Sequence, residues 1–106
     1  NAQSPTSVVQ FGCWGGYFVD PQYTSMSHAM LLNTGGAAAV LGASGLTDVA
    51  SDEVFANALL PRLNTSTTFG DANQQSASAI RGSSPGAIDV WMGTSLLGDP
   101  ALRPNN

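Results

Sequence analysis

The chain has 106 residues, with three Lys or Arg against seven Asp or Glu and a formal net charge of −4. Its cations, Arg62, Arg81 and Arg103, lie far apart, so there is no basic footprint for nucleic acid or for an anionic membrane surface. The longest near-continuous apolar stretch, Gly36–Ala43, is far too short to span a bilayer.

Only 9% of residues are charged, and Ser, Thr, Asn, Gln and Gly fill the polar positions. That composition points to an extracellular or cell-surface protein. A single cysteine excludes an internal disulfide, and Cys13 with the only histidine, His28, does not make a zinc site. The acids show no calcium-loop spacing, so no cofactor or metal is assigned. Asn64-Thr65-Ser66 matches a glycosylation acceptor, but a polar turn after a helix explains it as well.

Asn1–Thr6 reads as an irregular lead-in. Ser7–Gly12 is a short strand with Val8, Val9 and Phe11 as its apolar content, and Cys13 stands at its carboxyl end. Trp14-Gly15-Gly16 breaks regular structure, and Asp20-Pro21-Gln22 is turn chemistry. Thr24 or Ser25 can cap a helix running to about Asn33, with Met26, Met30 and Leu31 toward the core and Gly35-Gly36 as its stop. Ala37–Ala43 lacks polar alternation, as a strand buried on both faces would. Ser44–Val49 is a loop at its carboxyl end. Ser51 is expected to cap the next helix, whose stripe is Phe55, Leu59 and Leu63 and whose last turn holds Pro61.

After the polar loop Asn64–Thr68, a third helix spans Asp71–Arg81, with Ala72, Ser76, Ala79 and Ile80 inward and Gly82 as its stop. Ser83–Gly86 is a loop, and Ala87–Met92 a last short strand or extended segment holding Trp91 in the core and Asp89 toward solvent. Leu96–Arg103 closes the domain, and Pro104–Asn106 is a tail. The order strand, helix, strand, helix, helix, strand implies an α/β fold with parallel crossovers. Two or three strands are few for three helices, and the first strand has a raw edge unless another segment pairs with it. The chain therefore reads as part of a larger fold.

In open α/β sheets, ligands bind beyond the carboxyl ends of the strands. Cys13 is placed there, between Gly12 and a Trp-Gly-Gly turn whose small residues would admit a substrate backbone. A nucleophilic cysteine needs a base and an oxyanion site, and its own N–H is a natural oxyanion donor. The plain alternative is a buried core thiol.

Phe11-Gly12-Cys13-Trp14-Gly15-Gly16-Tyr17-Phe18 resembles the nucleophile segment of the gingipain-like cysteine peptidases of clan CD, an apolar strand followed by Cys-x-x-Gly-x-Phe. Ser25–Leu32 is similar to the family's Ser-x-x-x-x-Leu-Leu helix. Gly35–Thr47 resembles its Gly-Ala-Val-Ala-Val strand and Ser-Gly-Leu-Thr loop. Thr68–Ala72 is similar to its Thr-x-Gly-Asp/Glu-Ala helix start, and Leu97–Arg103 to its closing Leu-Gly-Asp-Pro-x-Leu segment. The matches keep the family's order and cover nearly the whole chain.

The resemblance implies a caspase-like, three-layer α/β fold around a mainly parallel sheet, with residues 1–106 as its C-terminal portion. It implies cysteine endopeptidase chemistry on a peptide or protein substrate, with Cys13 as nucleophile. The catalytic histidine would come from a His-Gly motif upstream of Asn1, on the same polypeptide or a companion chain; this sequence contains no His-Gly. His28 reads as a partly exposed helical residue rather than the base.

The loop Ser44-Gly45-Leu46-Thr47-Asp48 is expected beside Cys13, and in the family it shapes the pocket for the residue before the cut. Asp48 there could favour a basic side chain, or be an ordinary solvated acid. Gly12 and Trp14 complete the expected substrate-binding set, although Trp14 could equally pack in the core or an interface. Asp99 reads as a turn residue before Pro100. Two other readings stand beside the peptidase. One is an inactive, peptidase-like structural subunit of a surface assembly; the other is a small binding module complete in itself, which would unfold cooperatively alone.

Overall fold

The computed structural model describes Ser4 and residues 6–104. Most of the lead-in Asn1–Thr6, and the last two residues of the Pro104–Asn106 tail, lie outside the described residues. The elements are β1 (Thr6–Val9), α1 (Met26–Leu32), β2 (Ala37–Ala43), α2 (Val49–Leu63), α3 (Phe69–Ile80), α4 (Pro85–Met92) and β3 (Thr94–Gly98). The sheet has the order β1-β2-β3. β1 runs parallel to β2, with Val8 opposite Val40 and Val9 opposite Leu41. β3 runs antiparallel to β2, with Leu96 opposite Leu41 and Thr94 opposite Ala43.

This mixed sheet corrects the expectation of parallel crossovers throughout. The last strand lies two residues beyond the expected Ala87–Met92, which is helix α4 instead. Pro85 at the first turn suits a helix start. Ala87, Ile88, Val90 and Trp91 recur at helical rather than alternating spacing. α4 ends at Met92 and delivers the chain at the carboxyl end of β2, so β3 enters with Thr94 opposite Ala43 and runs antiparallel to β2. Trp91 therefore stands on a helix, half-buried, its indole N–H donating to the Asn73 backbone carbonyl and to Asn73 Oδ1, each at 3.2 Å.

β2 is the centre of the fold, with Ala39, Val40 and Leu41 fully buried. Ala39 and Leu41 join Phe55, Leu59, Phe69, Ala72, Ile80, Ala87 and Val90 in one apolar cluster built with α2, α3 and α4. Gly42, of opposite parity, turns toward Ser27 of α1 and Gln10. Helices thus pack on β2 from both sides, as its unalternating sequence requires.

The helix ends correct several local expectations. α2 begins at Val49, and Asp48 rather than Ser51 caps it, the Asp48 carboxylate accepting from the Ser51 N–H at 3.0 Å. An acid is the stronger acceptor for orphan N–H groups at a helix start. Thr68 likewise caps α3 through Asp71 N–H at 3.1 Å, so that helix starts two residues early. Within α3, Ala77 is buried and Ala79 is exposed. In α1, Met26 is 57% exposed, while Met30 and Leu31 are half-buried.

The closing segment locks α3 to the sheet. Leu102 and Pro100 carbonyls accept from the Phe69 and Gly70 N–H groups, both at 2.8 Å. Asp99 caps its own turn through Ala101 N–H at 2.8 Å. Gly98 has φ of 101°, and a Cβ there would strike the Ala38 carbonyl. The Leu-Gly-Asp-Pro sequence therefore has a conformational cause.

Candidate active site

β1 ends at Val9, earlier than Gly12, yet the chain stays on β2 for one more step, Gln10 N–H donating to the Leu41 carbonyl at 2.8 Å. It then lifts off. Gly12 has φ of 131° and Trp14 has φ of 63°, a left-handed conformation uncommon for a large side chain. This turn carries Cys13 past the carboxyl ends of the parallel β1–β2 pair.

Three backbone hydrogen bonds pin the turn. Trp14 N–H donates to the Gly45 carbonyl at 3.0 Å, and Gly16 N–H to the Ala43 carbonyl at 2.8 Å. The Gly15 carbonyl accepts from Ser27 N–H at 3.1 Å and from the buried Ser27 hydroxyl at 3.0 Å. A Cβ on Gly16 would collide with the Gly42 carbonyl, so the Trp-Gly-Gly spacing sets how closely the turn sits on β2. Buried Ser25 caps α1 through His28 N–H at 3.3 Å, fixing the helix end that holds Gly15.

Cys13 is exposed and is the free cysteine, which removes the buried-thiol alternative. Its sulfur lies against Thr47. Thr47 N–H donates to Cys13 Sγ at 3.3 Å, the Thr47 carbonyl lies 3.4 Å from it, and the Thr47 hydroxyl 3.6 Å. The Thr47 hydroxyl in turn donates to Asp52 Oδ2 at 2.8 Å. Hydrogen bonding with the Thr47 backbone, and then with its side chain, pulls the Cys13 thiol below its ordinary range, against the opposing effects of slight desolvation and the Asp52 charge.

The loop after β2 divides its labour. Thr47 meets the sulfur, and Gly45 holds the Trp14 backbone. Leu46 is 79% exposed beside them. Ser44 faces away, its hydroxyl 3.0 Å from that of Ser95 and its N–H on the Gly93 carbonyl. Asp48 is exposed, and the Ser51 hydroxyl and N–H hold its carboxyl below its ordinary range. Sequence reasoning missed the contact of Asp52 with Thr47, since a first-turn acid on a helix carries no mark of what faces it.

Gly12 and Trp14 each line a hollow. One, of about 430 Å³, is formed by Phe11, Gly12, Val49, Asp52, Glu53 and Ala56. The other, of about 310 Å³, is formed by Trp14, Tyr17, Asp20 and Tyr23. His28 stands on α1, half-buried. Among the described residues no group of three or more His, Cys, Asp or Glu side chains is gathered as a metal site would need, and no helix is long and apolar enough to cross a membrane.

No match to this chain was found among curated proteins or among solved structures. The model of the family described as peptidase family C25 matches residues 1–105, from the lead-in through the Cys13 turn and the Thr47 loop to the closing segment. The chain belongs to peptidase family C25, the gingipain family of cysteine peptidases.

Proposed function

We propose that this chain carries the nucleophile of a secreted or cell-surface cysteine endopeptidase, and that the nucleophile is Cys13. The observation that carries the reading is the exposed Cys13 sulfur at the carboxyl end of the β1–β2 pair, receiving the Thr47 N–H that favours its thiolate. The base is a histidine supplied by a segment outside residues 1–106, as a continuous chain or a companion chain. The larger fold is then a caspase-like, three-layer arrangement in which further strands extend the sheet beyond β1.

In this reading the Cys13 thiolate attacks a peptide carbonyl and the electron pair moves to its oxygen. The Cys13 N–H, with a donor from the histidine segment, holds that oxyanion. The histidine gives its proton to the departing amine, the C–N bond breaks, and a thioester remains on Cys13. Water, deprotonated by the same histidine, releases the acid and restores the thiol. The 44–48 loop, with Gly12 and Trp14, shapes the pocket for the residue before the cut. Asp48 serves α2 as its cap, and Thr47 is the loop residue that lies against the sulfur.

The test is peptide hydrolysis by the full natural polypeptide and by its Cys13→Ala form. Loss of turnover with unchanged unfolding supports the proposal, and equal turnover sinks it. A second reading, an inactive peptidase-like structural subunit, is favoured by one observation. A groove of about 410 Å³ beside the edge strand β1, lined by Val8, Met26, Ala29 and Met30 among others, offers a partner a place to add. A full polypeptide that stays inert while forming a stable complex would select that reading.

A further inference from the structure

The peptide unit that joins Gly15 to Gly16, just beyond Cys13, is held at both ends by different elements. Its N–H donates to the Ala43 carbonyl of β2 at 2.8 Å. Its carbonyl accepts from the Ser27 N–H at 3.1 Å and from the Ser27 hydroxyl at 3.0 Å. Ser27 lies in the first turn of α1 and is fully buried. Its N–H is one of the donors that a helix start leaves without an intrahelical partner, and the Gly15 carbonyl satisfies it. A buried hydroxyl without a partner costs free energy, and alanine here would carry no such cost. The sequence nevertheless places a hydroxyl at this position, and both donors of Ser27 meet the same carbonyl.

Another buried serine shows what an ordinary helical hydroxyl does in this chain. Ser76, also fully buried, donates within its own helix, to the Asn73 carbonyl at 2.6 Å. Ser27 instead reaches across 12 residues to the nucleophile turn. Gln10, one residue past the end of β1, closes the cluster. Its Oε1 lies 3.4 Å from the Ser27 hydroxyl and its Nε2 3.3 Å from Met30 Sδ. A hydroxyl has one proton, and the shorter contact assigns it to the Gly15 carbonyl. These groups converge over Gly42 of β2. A Cβ there would lie 3.0 Å from Gln10 Oε1, 3.1 Å from the Gly16 nitrogen and 3.2 Å from Ser27 Oγ.

Between this clamp and Cys13 stands Trp14, whose φ of 63° persists only where the surroundings hold it. The hold on one side is the Trp14 N–H on the Gly45 carbonyl, at 3.0 Å. The hold on the other is the Gly15–Gly16 peptide. Loosening it frees the Trp14 and Gly15 torsions to relax, and the Cys13 N–H and sulfur move with them. We infer that Ser27 is a positioning residue for the Cys13 nucleophile. It acts through the Gly15 carbonyl, keeping the turn in the one conformation that directs the sulfur and the Cys13 N–H at the same reacting carbonyl. The inference rests on the peptidase reading for its effect on turnover, whereas the hold on the thiol stands on the geometry alone.

The experiment compares Ser27→Ala, Ser27→Cys and the control Ser76→Ala in the full natural polypeptide. Peptide hydrolysis gives kcat and KM. The pH profile of iodoacetamide alkylation, with the adduct at Cys13 located by peptide mapping, reports the thiol without requiring turnover. Ser27→Ala should lower kcat about tenfold and leave KM within about twofold, because the lost geometry matters in the transition state. It should also move the alkylation midpoint upward, as the sulfur leaves the Thr47 N–H that favours its thiolate. Ser27→Cys keeps the size and a weaker donor, so both readouts should fall between parent and Ser27→Ala; it carries the test alone if Ser27→Ala does not fold. Ser76→Ala should match the parent in both. Parent values of kcat and alkylation midpoint in the Ser27 variants overturn the inference, whatever their loss of stability in urea, as does an equal change in Ser76→Ala. A parent that hydrolyses no peptide refutes the peptidase reading, and an upward alkylation midpoint in Ser27→Ala then still upholds the hold on the thiol.

Discussion

Substituting Gly16 by Ala tests whether the Cys13 turn is truly set by its approach to β2. The added Cβ meets the Gly42 carbonyl, a backbone atom in a buried central strand that cannot step aside. The turn must move, and the 2.8 Å hydrogen bond from Gly16 N–H to the Ala43 carbonyl weakens with it. Overpacking of this kind costs about 1–3 kcal/mol, and a lost intramolecular hydrogen bond about 1 kcal/mol. The sum, about 2–4 kcal/mol, is a large share of the roughly 5–15 kcal/mol that holds a domain folded. Gly45→Ala is the internal control, because its Cβ would meet nothing within 4 Å. The assay is urea unfolding of the full natural polypeptide, with the rate of Cys13 alkylation by iodoacetamide measured in parallel. Gly16→Ala should lower stability by the stated amount and change the alkylation rate, while Gly45→Ala stays within about 0.5 kcal/mol of the parent. If both variants match the parent in stability and thiol reactivity, the close approach does not position Cys13.

The Thr47–Asp52 pair should move the Cys13 titration in opposite directions. Thr47→Val removes a hydroxyl that favours the thiolate and should shift the pH profile of alkylation upward; Asp52→Asn removes an opposing charge and should shift it downward. A common direction for both would contradict the geometry. Asp48 caps α2 as a carboxylate with a lowered pKa, so its contribution is fully present above the ordinary value of 3.8 and is lost as pH falls through the lowered folded value. The stability difference between the parent and Asp48→Asn, measured by urea unfolding, should therefore shrink in acid below pH 3.8; a difference that is flat with pH refutes this role. Leu59→Ala, at a fully buried position in the main cluster, should cost about 2–5 kcal/mol, and a cost below about 1 kcal/mol would show that the site is not packed as described.

What the sequence revealed, and what it hid, follows from where each signal resides. Ala37–Ala43 was legible to the residue, because a strand buried on both faces shows an unbroken apolar run between glycines and polar loop residues. The cap at Thr24 or Ser25, which falls on Ser25, and the stop at Gly82, which has φ of 82°, were legible because orphan backbone groups demand particular chemistry. The segment Ala87–Met92 was not: six residues with a short apolar run suit strand or helix, and Pro85 two residues earlier was the deciding mark. Strand direction was hidden as well, since β3 is antiparallel only because α4 occupies the connecting segment and delivers the chain at the same end of β2.

At the site, the Cys13 turn and the Thr47 loop were both visible, because adjacent parallel strands end on one side and a ligand-binding loop follows each. Which loop side chain meets the sulfur was not. Asp48 could be read as a pocket acid or as an ordinary solvated one; its carboxylate caps α2 on the Ser51 N–H, and Thr47 is the loop residue against Cys13. The Tyr17–Tyr23 contact spans an irregular segment whose path has no periodicity to read.

The most direct test of the account is covalent trapping of the full natural polypeptide with a peptidyl acyloxymethyl ketone, followed by peptide mapping of the adduct by mass spectrometry. The account predicts stoichiometric modification at Cys13 and parallel loss of peptide hydrolysis. An adduct on another residue, or hydrolysis that continues with Cys13 fully modified, would contradict it.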